Sequence, residues 1–180
     1  MSDKNIQSIV LGGGCFWCVE AAYSHTKGII SAVSGYAGGK TKNPTYEEVS
    51  GGRTGHAEVV KISYDPAVIT LDDILHIFFL IHNPTTPDRQ GNDIGTQYRS
   101  AIFYNTKEQY DIADKIMKDL AEERVYDQPI VTELYSLKDF YPAEDYHQQY
   151  FAKNPEQAYC QAVIAPKLAK FRQKYAQFYK

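Results

Sequence analysis

An apolar run, Ile9-Val10-Leu11, gives way to Gly12-Gly13-Gly14 and then to Cys15-Phe16-Trp17-Cys18. The run reads as a buried strand from Gln7 to Leu11. Phe16, Val19, Ala21 and Ala22 then recur as a helix face, and Gly28 is expected to end that helix. Ile29 to Tyr36 is a second strand. Thr45-Tyr46-Glu47-Glu48 has the form of a capping box, so a short helix should begin at Thr45. Alternation over Ala57 to Tyr64 predicts another strand, and Leu71 to Ile81 a helix stopped before Asn83-Pro84. Arg99 to Tyr104 reads as a strand. Thr106-Lys107-Glu108-Gln109 caps a helix whose stripe is Ile112, Ala113, Ile116 and Leu120. Ile130 to Leu134 is a further strand. Ala143 to Phe151 and Pro166 to Phe178 look helical, with a loop between them at Asn154-Pro155.

Mixed strands and helices, one helix longer than the rest, predict an α+β fold. The expected form is a two-layer sandwich with a ferredoxin-like core and a mixed or antiparallel sheet. Gly35, Gly38, Gly39, Pro44, Gly51, Gly52 and Gly55 mark one long loop-rich stretch, and Pro84 to Gly95 a second. Loops of this length in a compact domain usually carry function, and both are expected to converge near Cys15. With 180 residues, the chain is expected to form one catalytic domain over 1–180, residues 153–180 being an extended C-terminal tail. There is no internal repeat and no low-complexity tract.

Composition narrows the classes. The net charge is -3 with scattered basic residues, which argues against a nucleic-acid footprint. Met1 to Asn5 lacks the apolar core of a signal peptide, and no apolar run approaches the ~20 residues of a bilayer span. Three cysteines without such a signal point to cytoplasmic redox chemistry rather than to a disulfide framework. Fifteen tyrosines against one tryptophan supply hydrogen-bond donors from apolar walls. Beyond Cys15 and Cys18 the cysteines offer no second pair, and His25, His76 and His82 lack ligand spacing, so no metal site is expected.

The chemistry concentrates at two places. Cys15 falls at the first turn of a helix, where unsatisfied N–H groups stabilise an anion, so its thiol is expected to ionise easily. The glycines before it leave the sulfur open to close approach, and Trp17 could wall a pocket. An inert cysteine buried in a glycine turn is the plain alternative. Glu58 shares a strand face with Val60, Ile62 and Tyr64, opposite Lys61 and Ser63. On an apolar face a carboxyl has its pKa raised and can act as a general acid; at a wet strand end it would do neither.

Gly14-Cys15-Phe16-Trp17, Gly55-His56-Ala57-Glu58-Val59, Gly95-Thr96-Gln97-Tyr98-Arg99-Ser100 and Ala143 to Tyr150 resemble class A peptide methionine sulfoxide reductases, in order and over nearly the whole chain. The resemblance implies reduction of methionine S-sulfoxide, free and in proteins, by a monomer that uses no cofactor, binds neither nucleic acid nor membrane and is recycled by thioredoxin. Cys15 would attack the sulfoxide sulfur and be left as a sulfenic acid. Glu58 matches the family's acid, Tyr46 and Tyr98 its phenolic donors, Asp93 a substrate-organising carboxylate, and Phe16 with Trp17 the methyl pocket. His56 and His147 compete for a general-base role through Cys–His pairing. The family uses no such base, and His147 is expected to bond locally.

Cys160, on the loop after Asn154-Pro155, resembles the family's C-terminal resolving cysteine. Cys15-Phe16-Trp17-Cys18 is also a C-x-x-C, so Cys18 could resolve, back up or merely pack. The rival activity is a thioredoxin-like dithiol oxidoreductase built on Cys15 and Cys18, which leaves Glu58, Tyr46 and Tyr98 without a role.

Overall fold

A computed structural model of the chain describes residues 5–180, so of the stretch read for targeting only Asn5 is described. The elements are β1 (Gln7–Gly12), α1 (Phe16–Ser24), β2 (Ile29–Ala37), α2 (Tyr46–Ser50), β3 (Ala57–Tyr64), α3 (Leu71–Ile81), β4 (Arg89–Gln90), β5 (Asp93–Ile94), β6 (Ala101–Tyr104), α4 (Lys107–Glu122), β7 (Glu133–Ser136), β8 (Phe140–Pro142), α5 (Tyr150–Lys153) and α6 (Ala165–Lys174). The main sheet runs β7-β6-β1-β3-β2-β8, and β4 and β5 form a separate hairpin. All neighbours in the main sheet are antiparallel except β6 and β7, which are parallel. No helix among the described residues is long and apolar enough to cross a membrane.

The apolar run becomes the centre of this sheet because β1 is paired on both sides, and Ile9, Val10 and Leu11 are fully buried. One face carries the main core, where Ile9, Leu11 and Ile62 meet Phe16, Val19, Ile74, Phe78 and Phe171. The other face carries a smaller cluster of Val10, Val59, Ala101 and Phe103. Burying each of the Val, Leu, Ile and Phe side chains contributes about 1.5–3 kcal/mol. The Tyr23 hydroxyl, wholly buried, donates to the Ile74 carbonyl at 2.7 Å and ties α1 to α3.

Local signals explain most of the elements. Thr45 forms the expected capping box with Glu48, and Thr70 forms another with Asp73 at the start of α3. Thr106 caps α4 through the Gln109 amide, but the Gln109 side chain turns to the Asn105 N–H instead of closing the box.

The fold departs from the expectations mainly in the C-terminal third. α1 ends at Ser24 rather than near Gly28, because residues 25–27 turn to meet the chain's end. Thr26 bridges to Tyr179, Lys27 N donates to Phe178 O at 2.7 Å, and Lys180 N donates to His25 O at 2.8 Å. The strand expected at Ile130–Leu134 begins at Glu133, where its parallel register with β6 starts. The helix expected over Ala143–Phe151 is a 3-10 turn, Asp145–His147, then α5, broken where Gln149 is left-handed (φ 54°). Cys160 is not on a loop: it opens a π-helical turn, Cys160–Ile164, that runs into α6, and α6 ends at Lys174 rather than Phe178.

Candidate active site

The carboxyl end of β1 lies beside the amino end of β3, because antiparallel pairing sets Leu11 against Val60. Gly14 then reverses the chain with φ +91°, a conformation a side chain resists. Cys15 follows as the N-cap residue of α1, 8% exposed. Across the strand pair, Glu58 is 2% exposed, and its Oε1 accepts the Phe16 N–H at 3.1 Å. The acid and the candidate nucleophile are thus fixed one residue apart by main chain.

Burial raises the Glu58 pKa to about 8, against the pull of the Phe16 N–H and with the charge of Asp93 adding to the rise. The carboxyl is therefore protonated at neutral pH, as its strand face predicts. Cys15 behaves otherwise than expected. Its thiol is pushed well up by burial, then by its hydrogen bond with Cys18 and the charge of Glu58, and the Trp17 N–H only partly offsets this. The first helical N–H, that of Phe16, goes to Glu58. The easily ionised thiol of the pair is Cys18, drawn down to about 7 chiefly by its hydrogen bond with Cys15, with Lys167 and the Tyr159 hydroxyl contributing.

Tyr46 opens α2 and Tyr98 closes the 3-10 turn after the β4–β5 hairpin. Burial raises both phenols, and each feels the charges of Glu58, Cys15 and Asp93. The two glycine-rich stretches thus converge on one cluster, as expected. Asp93, on β5, accepts from the Tyr159 hydroxyl at 2.7 Å, and that oxygen lies 3.7 Å from the Cys18 sulfur. Cys160 is fully buried, and burial and the charge of Cys18 raise its thiol. All three cysteines are free.

An aromatic wall completes the cluster. Trp17 stacks on Tyr150 at 3.6 Å with planes 5° apart, and Tyr159 meets it edge-on at 5.8 Å. Its Nε1–H donates to His147 Nδ1 at 3.1 Å, a contact 130 residues distant in sequence rather than the local bond expected. That bond places the His147 proton on Nε2, which is buried without a partner. The ring lies 4.5 Å from that of Tyr46 and 5.0 Å from that of Phe16. His56 serves the glycine loop, where Nδ1 accepts from Gly39 N and Nε2 meets Thr41 O. His82 is buried and neutral, its pKa lowered to about 3 by burial, and it bonds to the Ser100 hydroxyl. Neither histidine pairs with Cys15.

Sequence reasoning passed over three supports. Glu144 accepts from the Tyr36 hydroxyl and the Tyr46 N–H, both at 3.0 Å. Gln148 bonds both main-chain groups of Ser34. Glu20, 1% exposed, accepts from Gln149 N at 2.9 Å. The first two stand in the Ala143–Tyr150 motif, which was the available signal; the partners were not legible.

The sequence model of the family described as peptide methionine sulfoxide reductase matches residues 7–179. The peptide methionine sulfoxide reductase MsrA of Polynucleobacter asymbioticus is 54% identical over 178 residues, covering 97% of this chain and 94% of its own. Among solved structures, Mxr1 from Saccharomyces cerevisiae in reduced form superposes with a TM-score of 0.80 at 38% identity, over 86% of this chain and 89% of that one. Mxr1 in complex with Trx2 gives a TM-score of 0.59 at 28% identity, over 83% and 87% of the two chains.

Proposed function

The chain belongs to the peptide methionine sulfoxide reductase family and reduces methionine sulfoxide, and on that premise we propose that Cys15 is its nucleophile and Glu58 its acid. The observation that carries this assignment is the hydrogen bond from Phe16 N to Glu58 Oε1, which holds a protonated carboxyl beside the Cys15 sulfur. The sulfoxide oxygen accepts from Glu58, Tyr46 and Tyr98, donors aimed where negative charge develops as the S–O bond breaks. The methyl group lies against Phe16 and Trp17, and Asp93 holds the substrate main chain.

Attack of Cys15 on the sulfoxide sulfur moves the oxygen to the enzyme. The substrate sulfur gains two electrons, the Cys15 sulfur loses two, and methionine leaves behind a sulfenic acid. Glu58 donates its proton to the oxygen and regains one from the Cys15 thiol. A second thiol then displaces hydroxide as water and forms a disulfide. Cys15 and Cys18 lie three residues apart at the start of α1 and perturb one another's titration, and Cys160 feels the charge of Cys18, which supports a path from Cys15 to Cys18 and on to Cys160. Thioredoxin reduces the final disulfide; the support is the relative solved in complex with Trx2. The C-x-x-C dithiol alternative is not favoured, since it gives Glu58, Tyr46 and Tyr98 no task.

The reading has a single catalytic domain acting as a monomer in the cytoplasm, on free and protein-bound methionine S-sulfoxide. Oxygen, methyl and side chain need three separate subsites, and exchanging the first two points the oxygen away from Glu58. The purified protein with dithiothreitol should therefore reduce the S epimer and spare the R epimer. Equal turnover of both would overturn the assignment.

A further inference from the structure

Glu20 is a buried carboxylate for which the chemistry above has no use. It lies on α1, three residues after Trp17, so the two side chains share a helix face. Its Oε1 accepts from Gln149 N at 2.9 Å. Gln149 is the N-cap residue of α5; it is left-handed and offers no cap of its own side chain. The very next ring, Tyr150, lies flat on Trp17 at 3.6 Å.

We propose that Glu20 is a positioning residue: it clasps the Gln149-Tyr150 main chain to α1 so that Tyr150 covers Trp17 and the methyl pocket keeps its shape. It acts through Tyr150 and Trp17 and does not touch substrate. Without its oxygen, the Gln149 N–H loses its acceptor, and the left-handed turn there loses the contact that holds it. Tyr150 then leaves the indole. The inference rests on the assignment of Phe16 and Trp17 to the methyl group, but one arm of its test does not.

Trp17 is the single tryptophan, so tryptophan emission reports on the surroundings of this one ring. Glu20→Ala should shift that emission to the red as the ring gains water, in resting enzyme with no substrate present. In turnover it should raise KM about tenfold, equivalent to ~1.4 kcal/mol. The single-turnover rate at saturating sulfoxide should stay within about threefold, since the reacting groups are intact. Tyr150→Ala should give the same shifts, and the double variant should add nothing further, because both act through one contact. Should Glu20→Ala not fold, Glu20→Asp withdraws the carboxylate by one carbon and should show the same changes in emission and KM. Unchanged emission, unchanged KM, or strictly additive effects of Glu20→Ala and Tyr150→Ala would overturn the clasp. A red shift without a KM change would keep the clasp and overturn the pocket assignment instead.

Discussion

The main-chain N–H of Phe16 donates to Glu58 Oε1 at 3.1 Å, so the proposed acid is bonded to the residue next to the proposed nucleophile. This bond has two effects. It leaves the second carboxyl oxygen of Glu58 free to carry a proton toward the site. It also holds the Glu58 carboxyl against the start of α1, where its charge joins burial in raising the Cys15 thiol, although Cys15 stands at the N-cap position.

Glu58→Gln keeps a hydrogen-bond donor and the contact to Phe16 but has no proton to give. Its single-turnover rate should drop by about 10²–10³, the usual loss for a preorganised donor at a developing oxyanion. Rapid-quench measurement of methionine released from one equivalent of sulfoxide checks this. A rate within about threefold of wild type would remove Glu58 from the mechanism.

The pH dependence should carry the same signature. Glu58 titrates near 8 in the folded protein against an ordinary 4.5, because burial disfavours its charged form. The rate of sulfoxide reduction should therefore fall as pH rises through about 8. For stability, the folded state holds this proton more tightly than the unfolded chain. Its contribution is fully present below about 4.5 and is lost as pH rises through about 8. Melting temperatures of wild type and Glu58→Gln should thus diverge between about pH 5 and pH 9, and coincident profiles would contradict the assignment.

The cysteine path predicts which bonds accumulate. After one turnover without reductant, wild type should carry a Cys18–Cys160 disulfide with Cys15 returned to a thiol. Cys160→Ser should stop at Cys15–Cys18, and Cys18→Ser should retain the sulfenic acid on Cys15, trapped by dimedone. Peptide mapping by mass spectrometry reads all three. A Cys15–Cys160 disulfide in Cys18→Ser formed as fast as in wild type would remove Cys18 from the path.

Gly14→Ala tests the turn that delivers Cys15. A Cβ there would lie 2.8 Å from Gln90 Cβ on a backbone of φ +91°. The variant should lose about 1–3 kcal/mol of stability and a larger share of activity, since relief of the strain shifts Cys15 itself. Chemical denaturation beside the single-turnover assay measures both, and wild-type values in each would contradict the geometry.

How far the sequence could be read depended on how far away the determining contacts lie. β3 and α3 match their expected bounds to the residue, because alternation and a capping box are local properties. Cys15 and Glu58 were legible for the same reason, one from a glycine turn and one from its strand face. The helix expected at Ala143–Phe151 breaks at Gln149 because Glu20 takes its amide from 129 residues away. Cys160 lies in a π turn packed inside rather than on a loop, since its burial is set by Cys18 and the main core, not by its neighbours. Local pattern likewise placed an acidic thiol at Cys15 without the competing carboxylate that β3 supplies.

The pairing of Leu11 with Val60 sets more than sheet stability. Side chains alternate faces along a strand, so a slip of one residue between β1 and β3 would turn Glu58 to the opposite side of the sheet. Such a molecule would keep its helices and much of its far-ultraviolet spectrum while having no acid beside its thiol. Secondary-structure content would therefore overstate the yield of a refolded preparation. Counting the methionine released in the first turnover would instead measure the fraction of molecules in which the two strands found their register.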